Sequence, residues 1–185
     1  MRIIADDSIL INIDFQDRLL PHMISSDELA EKSVKLIRGL TALGLPSLTT
    51  QQYTKGLGYT DKRISEALGF EKPEELPFIE KDSFSAFDCP EFKDKLEASG
   101  RRNVIITGIE GHVCVTQTAV DLKAAGWNPV MIADCIASRK EADYQFGMKR
   151  WEHEGLMISC FESILFELCR YSGTPEFKQI SPLVK

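Results

Sequence analysis

The chain has 185 residues, 43% of them hydrophobic and 27% charged, with a formal net charge of -6. That length and balance describe one soluble globular domain with a sizeable core, spanning residues 1–185. The acidic charge and the lack of a Lys/Arg-rich run speak against nucleic acid as a partner, no apolar run reaches the ~18–20 residues of a membrane span, and Asp6 and Asp7 come too early for a signal peptide.

Ser8 to Asp14 is an apolar run of strand length. A helix follows from about Ser26 to Leu43, its apolar stripe built from Leu29, Val34, Ile37 and Leu40, and Gly44 stops it. Pro46 to Gln51 is a second, weaker strand. Residues 52–77 are loop-rich around a short helical pattern near Asp61 to Leu68, and Lys55-Gly-Leu-Gly58 lacks phosphate-loop spacing, so it reads as a flexible rim loop. Phe78 to Lys81 is a third strand and Pro90 to Ala98 a helix ended by Gly100. Asn103 to Gly108 is a short apolar strand, followed after the turn by a helix from Val115 to Ala125 that Gly126 closes. Pro129 to Asp134 is the fifth strand, and Ser138 with Glu141 has capping-box spacing ahead of a helix to about Glu154. Leu156 to Phe161 is the sixth strand, Glu162 to Tyr171 a helix, and Thr174-Pro175 starts a last one.

Strands and helices alternate throughout, and several strands are apolar on both faces. The expected fold is therefore a single-domain α/β, three-layer αβα structure with a mostly parallel sheet of roughly six strands and Rossmann-like topology. Ligands of such sheets bind beyond the carboxyl ends of the strands. The reactive side chains at those ends are Asp14, Gln51, Gln52, Lys81, Cys114 and Asp134. An acid, an amine and a thiol on one edge make a nucleophile with its acid/base apparatus: Asp14 takes the thiol proton, while Lys81 holds Asp14 ionised and stabilises the thiolate. A thiol at a helix N-terminus also meets unpaired N–H donors and the positive dipole end, which lower its pKa. The alternative for Cys114 alone is a small buried apolar residue. The five cysteines (Cys89, Cys114, Cys135, Cys160 and Cys169) are odd in number and without a CxxC pair, which reads as reduced thiols in a cytoplasmic protein, four of them incidental.

Five motifs stand in order at these strand ends: Ile13-Asp14-Phe-Gln16-Asp, Gln52-Tyr53-Thr-Lys55-Gly-Leu-Gly58, Lys81-Asp-Ser-Phe84-Ser, Gly108-Ile-Glu-Gly-His-Val-Cys114-Val-Thr-Gln-Thr and Asp134-Cys-Ile-Ala-Ser138-Arg139. With them the chain resembles, from Ile9 to about Phe177, the isochorismatase-like cysteine hydrolases, a superfamily that includes nicotinamidases and N-carbamoylsarcosine amidases. The likeness is to its isochorismatase-domain and YcaC-like branch. The resemblance implies a catalytic triad of Asp14, Lys81 and Cys114, in which the thiolate attacks a carbonyl, an amine leaves, and water activated by Asp14 hydrolyses the acyl-enzyme. It also implies a cis peptide at Ile109–Glu110 and an oxyanion hole from the Glu110 and Cys114 backbone N–H groups. Homo-oligomers, as dimers, tetramers or octamers, are expected from the same resemblance. Phe161, Ile164, Leu165, Phe166 and Leu168 make a wide apolar arc that suits either a subunit interface or burial under the final helix.

Two departures from the family pattern narrow the expectation. Nicotinamidases bind a metal through an Asp and histidines after the second strand, but here Gln51 to Gly56 contains no histidine, and His22, His112 and His153 have no ligand spacing. No metal or other cofactor is expected, and nicotinamide is disfavoured as substrate. Isochorismatase proper performs vinyl-ether hydrolysis, and its best-known members lack the cysteine, so Cys114 points to amide-type chemistry. The candidate substrate-binding residues are Gln16, Gln52, Tyr53 and Phe84. Each has an alternative: Gln16 bracing the Asp14 loop, Gln52 and Tyr53 packing a loop, Phe84 serving as core. His112 is two residues from Cys114, but neighbouring side chains in a tight turn diverge, and Asp134 is expected to anchor the loop toward Ser138. The leading function is a metal-independent cysteine hydrolase of a small amide. Against it stand a binding or scaffold protein with vestigial catalysis and, disfavoured by charge, a nucleic-acid-processing role.

Overall fold

The computed structural model describes residues 2–185. Six strands form one sheet in the order β3-β2-β1-β4-β5-β6: β1 (Ser8–Ile13), β2 (Ser47–Gln52), β3 (Ile79–Lys81), β4 (Asn103–Ile109), β5 (Asn128–Ala137) and β6 (Met157–Ser159). Every pairing is parallel. The strands are apolar on both faces because both faces are covered. In β1, Ile9, Ile11 and Ile13 join the core beneath α4 (Pro90–Ala98), α5 (Thr116–Ala124) and α6 (Glu141–His153), whereas Leu10 joins the opposite core. That second layer is built from α1 (Ser26–Ala42), α3 (Lys62–Ala67), α7 (Phe161–Cys169) and α8 (Pro175–Ile180). The expected αβα architecture is present, with the sheet parallel throughout.

The wide apolar arc of α7 is spent largely within the chain. Ile164, Leu165 and Leu168 are buried, and Leu165 seats against Gly39 of α1, where any side chain would collide with its methyls. Phe166 remains partly exposed and packs on Phe177 of α8 with ring centroids 6.2 Å apart.

Three local expectations need correction. The fifth strand does not stop at Asp134 but runs on to Ala137, because its register against β4 shifts between Ile106 and Gly108 and absorbs extra residues. Asp134 therefore lies within β5, and its carboxylate accepts from the Phe161 N–H at the start of α7 (2.9 Å) instead of anchoring the loop to Ser138. Helix α6 begins at Glu141 behind Lys140, with no capping box, since the Ser138 hydroxyl is engaged elsewhere. Finally, the rim loop contains a helical turn, α2 (Thr54–Leu57), and is tied down along its length. The Gln16 amide donates to the Gln52 and Gly58 carbonyls, Arg18 to the Gly56 carbonyl, and the Asp17 N–H to the Tyr59 carbonyl.

The strand order reverses between β1 and β4, which opens the crevice of a doubly wound sheet at their carboxyl ends. Gly108 lets the two strands meet there. Its φ is 132°, and a Cβ at this position would lie 2.1 Å from the Ile13 carbonyl oxygen. Backbone cannot yield as a flexible side chain does. Gly108→Ala is therefore expected to destabilise the fold by about 3 kcal/mol or more, combining backbone strain with overpacking. A urea-unfolding midpoint unchanged from wild type would contradict this.

Candidate active site

Asp14 leaves β1 with φ 52°, a left-handed conformation that turns its side chain under the sheet edge. Its Oδ1 accepts from the Thr50 hydroxyl (2.7 Å), and its Oδ2 lies 2.7 Å from Lys81 Nζ, with both ionic side chains wholly buried. Lys81, the last residue of β3, reaches this point across β2. Its ammonium donates to Gln52 Oε1 (2.7 Å) and to the Ser83 and Phe84 carbonyls (3.2 and 3.3 Å). With Asp14 Oδ2 these make four oxygens around the three hydrogens of the ammonium, Gln52 Oε1 and Asp14 Oδ2 being the nearest. The Asp14 carboxylate thus faces both the ammonium and the Cys114 thiol.

Cys114 lies inside a π-helical turn, Gly111–Val115, that joins β4 to α5. The thiol is only 8% exposed, and the Asp14 carboxylate and Lys81 ammonium both act on it. Burial, reinforced by the Asp14 charge and only partly offset by Lys81, pushes the thiol up to about 12. The sequence-based expectation of a depressed pKa is thereby reversed. Full burial raises the cost of an ionised group by about 4–7 kcal/mol at the extreme, against at most about 2 kcal/mol from a helix terminus. Desolvation wins, and Cys114 rests as a thiol.

The turn around Cys114 is anchored residue by residue. The peptide bond Ile109–Glu110 is cis. The Glu110 carboxylate accepts from the Arg139 N–H (3.0 Å) and from its Nε (3.1 Å). The Gly111 carbonyl accepts from Thr116, whose hydroxyl in turn takes the buried Trp151 indole N–H (2.7 Å). His112 meets Ser138 through its ring Nδ1 (2.9 Å) and its backbone N–H (3.4 Å). The Cys114 carbonyl accepts from Thr118 (2.7 Å), which also receives the Ala86 N–H and so ties the cysteine to the loop that caps Lys81.

Asp14, Lys81 and Cys114 are therefore brought together. Gln52 joins them by orienting Lys81, with its own amide nitrogen on the Asp82 carbonyl. Gln16 is fully buried, with both ends of its amide used on loop backbone, so it braces the rim instead of facing a ligand. Tyr53 and Phe84 stand on the surface, 55% and 56% exposed, and Phe84 is not core. Gln51 turns inward to Thr60 and Thr54. His112 is spent on Ser138, with Asp143 4.0 Å away. Thr50 is a supporting residue outside the five motifs, and a hydroxyl on the strand beside Asp14 was its signal. Thr116, Thr118, Ser138 and Arg139 stand within the motifs, but spacing did not show which groups they hold. Among the described residues, no three His, Cys, Asp or Glu side chains converge as a metal-binding group.

Comparison with known proteins identifies the family. The Isochorismatase domain family matches residues 8–163. The chain belongs to the isochorismatase family. Isochorismatase domain-containing protein 1 of Salmo salar is 35% identical over 173 residues, covering 93% of this chain and 59% of that relative. The chain thus spans about three-fifths of the length of that curated relative. Among solved structures, the MAR1 ribonuclease of Caenorhabditis elegans superposes with a TM-score of 0.90 at 33% identity, covering 100% of this chain and 92% of that one. The YcaC gene product of Escherichia coli, described as an octameric hydrolase of unknown specificity, has a TM-score of 0.90 at 20% identity, covering 99% and 89%. At that identity the likeness is one of fold. No helix among the described residues is long and apolar enough to cross a membrane.

The high thiol pKa has a measurable sign. Iodoacetamide should alkylate Cys114 slowly at pH 7–8, with the rate climbing only at clearly alkaline pH. Asp14→Asn removes a charge that raises the pKa while leaving Lys81 to lower it, so the profile should move to lower pH. Because the folded pKa exceeds the free-cysteine value of ~8.5, stability should also fall with rising pH above about 9, where the unfolded thiol ionises first. A peptide-resolved profile matching free cysteine, or unmoved in Asp14→Asn, would refute the assignment.

Proposed function

We propose that this isochorismatase-family protein is a metal-independent cysteine hydrolase of small uncharged amides or related C–N bonds. The observation that carries the reading is the buried Asp14 carboxylate, its Oδ2 2.7 Å from Lys81 Nζ, beside a thiol that is protonated at rest. Such a pair suits nucleophilic attack coupled to proton transfer. As Cys114 Sγ bonds to the substrate carbonyl carbon, its proton passes to Asp14 Oδ2. The carbonyl oxygen becomes an oxyanion held by the Glu110 and Cys114 backbone N–H groups. Asp14 returns the proton to the departing nitrogen as the C–N bond breaks. Water then gives a proton to Asp14 and attacks the thioester, which releases the acid and restores the thiol. Lys81 balances the Asp14 charge throughout, Gln52 and Thr50 hold the pair in place, and Tyr53 and Phe84 flank the entrance as substrate contacts.

The ribonuclease name of the Caenorhabditis elegans structure, carried to this chain, would require cations for a phosphodiester. Lys81 and Arg139, the cations beside the site, are each committed to a carboxylate, and the chain carries a net charge of -6. The small-amide reading is preferred on that ground. The alternative within the family is a binding or scaffold protein with vestigial catalysis.

A primary-amide panel with ammonia detection, together with intact-mass detection of an acyl adduct, decides between these readings. Cys114→Ala should abolish both signals. Asp14→Asn should lower kcat by about 10²–10⁴-fold, even though its thiol is the easier one to alkylate. A Cys114 that alkylates but forms no acyl adduct with any carbonyl donor points to the binding protein, and salt-sensitive RNA cleavage lost in Cys114→Ala would point to a nuclease.

A further inference from the structure

The end of β5 reaches over and grips the cysteine turn at two points, both outside the triad. Arg139 holds the Glu110 carboxylate through its backbone N–H (3.0 Å) and its guanidinium Nε (3.1 Å), and Glu110 is itself buried. Ser138, fully buried, holds His112 through the ring (2.9 Å) and the backbone N–H (3.4 Å). Gly111, between the two, presses so closely on this strand that a Cβ would meet Ile136 at 2.9 Å and the Ser138 hydroxyl at 3.3 Å. On the far side Gly147 of α6 lets His112 Cα approach to 3.4 Å of where its Cβ would be. The Glu110–His112 segment is thus fixed from strand and helix at once.

We propose that Glu110 and Ser138 are positioning residues that aim the oxyanion-binding N–H groups of the turn, an inference that rests on the hydrolase reading above. Neither side chain is placed to touch the thiol, whose charged neighbours are Asp14 and Lys81. Their loss should therefore impair only reactions that develop an oxyanion. Two reactions of the same sulfur separate these cases. Iodoacetamide alkylation displaces iodide from a saturated carbon and forms no oxyanion. p-Nitrophenyl acetate acylation passes through a tetrahedral oxyanion: the S–C bond forms, the ester C–O bond breaks, nitrophenolate leaves with the electron pair, and the thiol proton goes to Asp14.

The test compares both rates at Cys114, peptide by peptide so that the exposed Cys160 does not contribute, in wild type, Glu110→Ala, Glu110→Gln and Ser138→Ala. Mis-aiming a donor worth ~10²–10³-fold should slow acylation about tenfold or more in the two alanine variants, while the alkylation pH profile stays that of wild type. Glu110→Gln keeps an oxygen acceptor for the Arg139 N–H and should recover most of the loss. Wild-type acylation rates in both alanine variants would overturn the proposal. So would a parallel fall in alkylation and acylation, which would mark a general collapse of the turn. A wild-type Cys114 that alkylates normally but is never acylated would sink the hydrolase reading itself, and the clamp with it.

Discussion

The buried ion pair between Asp14 and Lys81 is the constraint on which the rest of the site depends. Moving two charges out of water costs several kcal/mol per ion even after relaxation, and their attraction repays this only with close geometry and satisfied hydrogen bonds. The protein meets both conditions by drawing on three neighbouring strands. Asp14 comes from the end of β1 and Lys81 from the end of β3, while the intervening β2 supplies Thr50 to one partner and Gln52 to the other. The order β3-β2-β1 is thus built into the site, and none of these groups can move without stranding a buried charge.

The pair also explains why the cysteine is a thiol. A lone lysine beside a buried sulfur would favour the thiolate, and a lone carboxylate would oppose it. With both present the lysine offsets the carboxylate only in part, burial adds to the carboxylate's effect, and the pKa rises to about 12. On the hydrolase reading the chemistry then needs a proton acceptor that is charged and close. Asp14 meets that need, and Gln52, Ser83 and Phe84 share the lysine hydrogens with it. Backbone carbonyls of the loop after β3 therefore shape the reactivity of a side chain on another strand.

Much of this was legible in the chain. Apolar runs bounded by Asp14, Lys81 and the Gly108 to Cys114 turn place those residues at carboxyl strand ends, and a parallel sheet brings its strand ends to one edge. What stayed hidden depended on register and on distant partners. A charged Asp134 seemed to end β5, whereas the bulge against β4 carries the strand on to Ala137 and delivers Ser138 and Arg139 to the turn. The glycines of the rim loop suggested mobility, yet Gln16 and Arg18, about forty positions away, pin it. Spacing alone showed a thiol at a helix start. It could not show that the turn is π-helical or how deeply the sulfur is buried, and that burial, with the Asp14 charge beside it, reverses the sign of its pKa shift.

A cysteine that rests protonated has a further consequence for the site's reactivity. Cysteine oxidation and alkylation proceed through the thiolate, so a buried thiol beside a neutral pair is protected from small electrophiles and oxidants. On the hydrolase reading its reactivity appears only when a carbonyl sits where both the proton acceptor and the oxyanion donors act together. An electrophile that engages only the sulfur meets a poor nucleophile, whereas one that presents an oxygen to the turn after β4 lowers the cost of charge separation. On the hydrolase reading, selectivity for carbonyl substrates is therefore a property of the charge arrangement, before any side chain of the entrance contributes. The same arrangement makes the anchoring of the Glu110 to Cys114 turn matter more than it would in an enzyme whose cysteine is already ionised. On that reading the developing oxyanion shares in driving the proton off the sulfur.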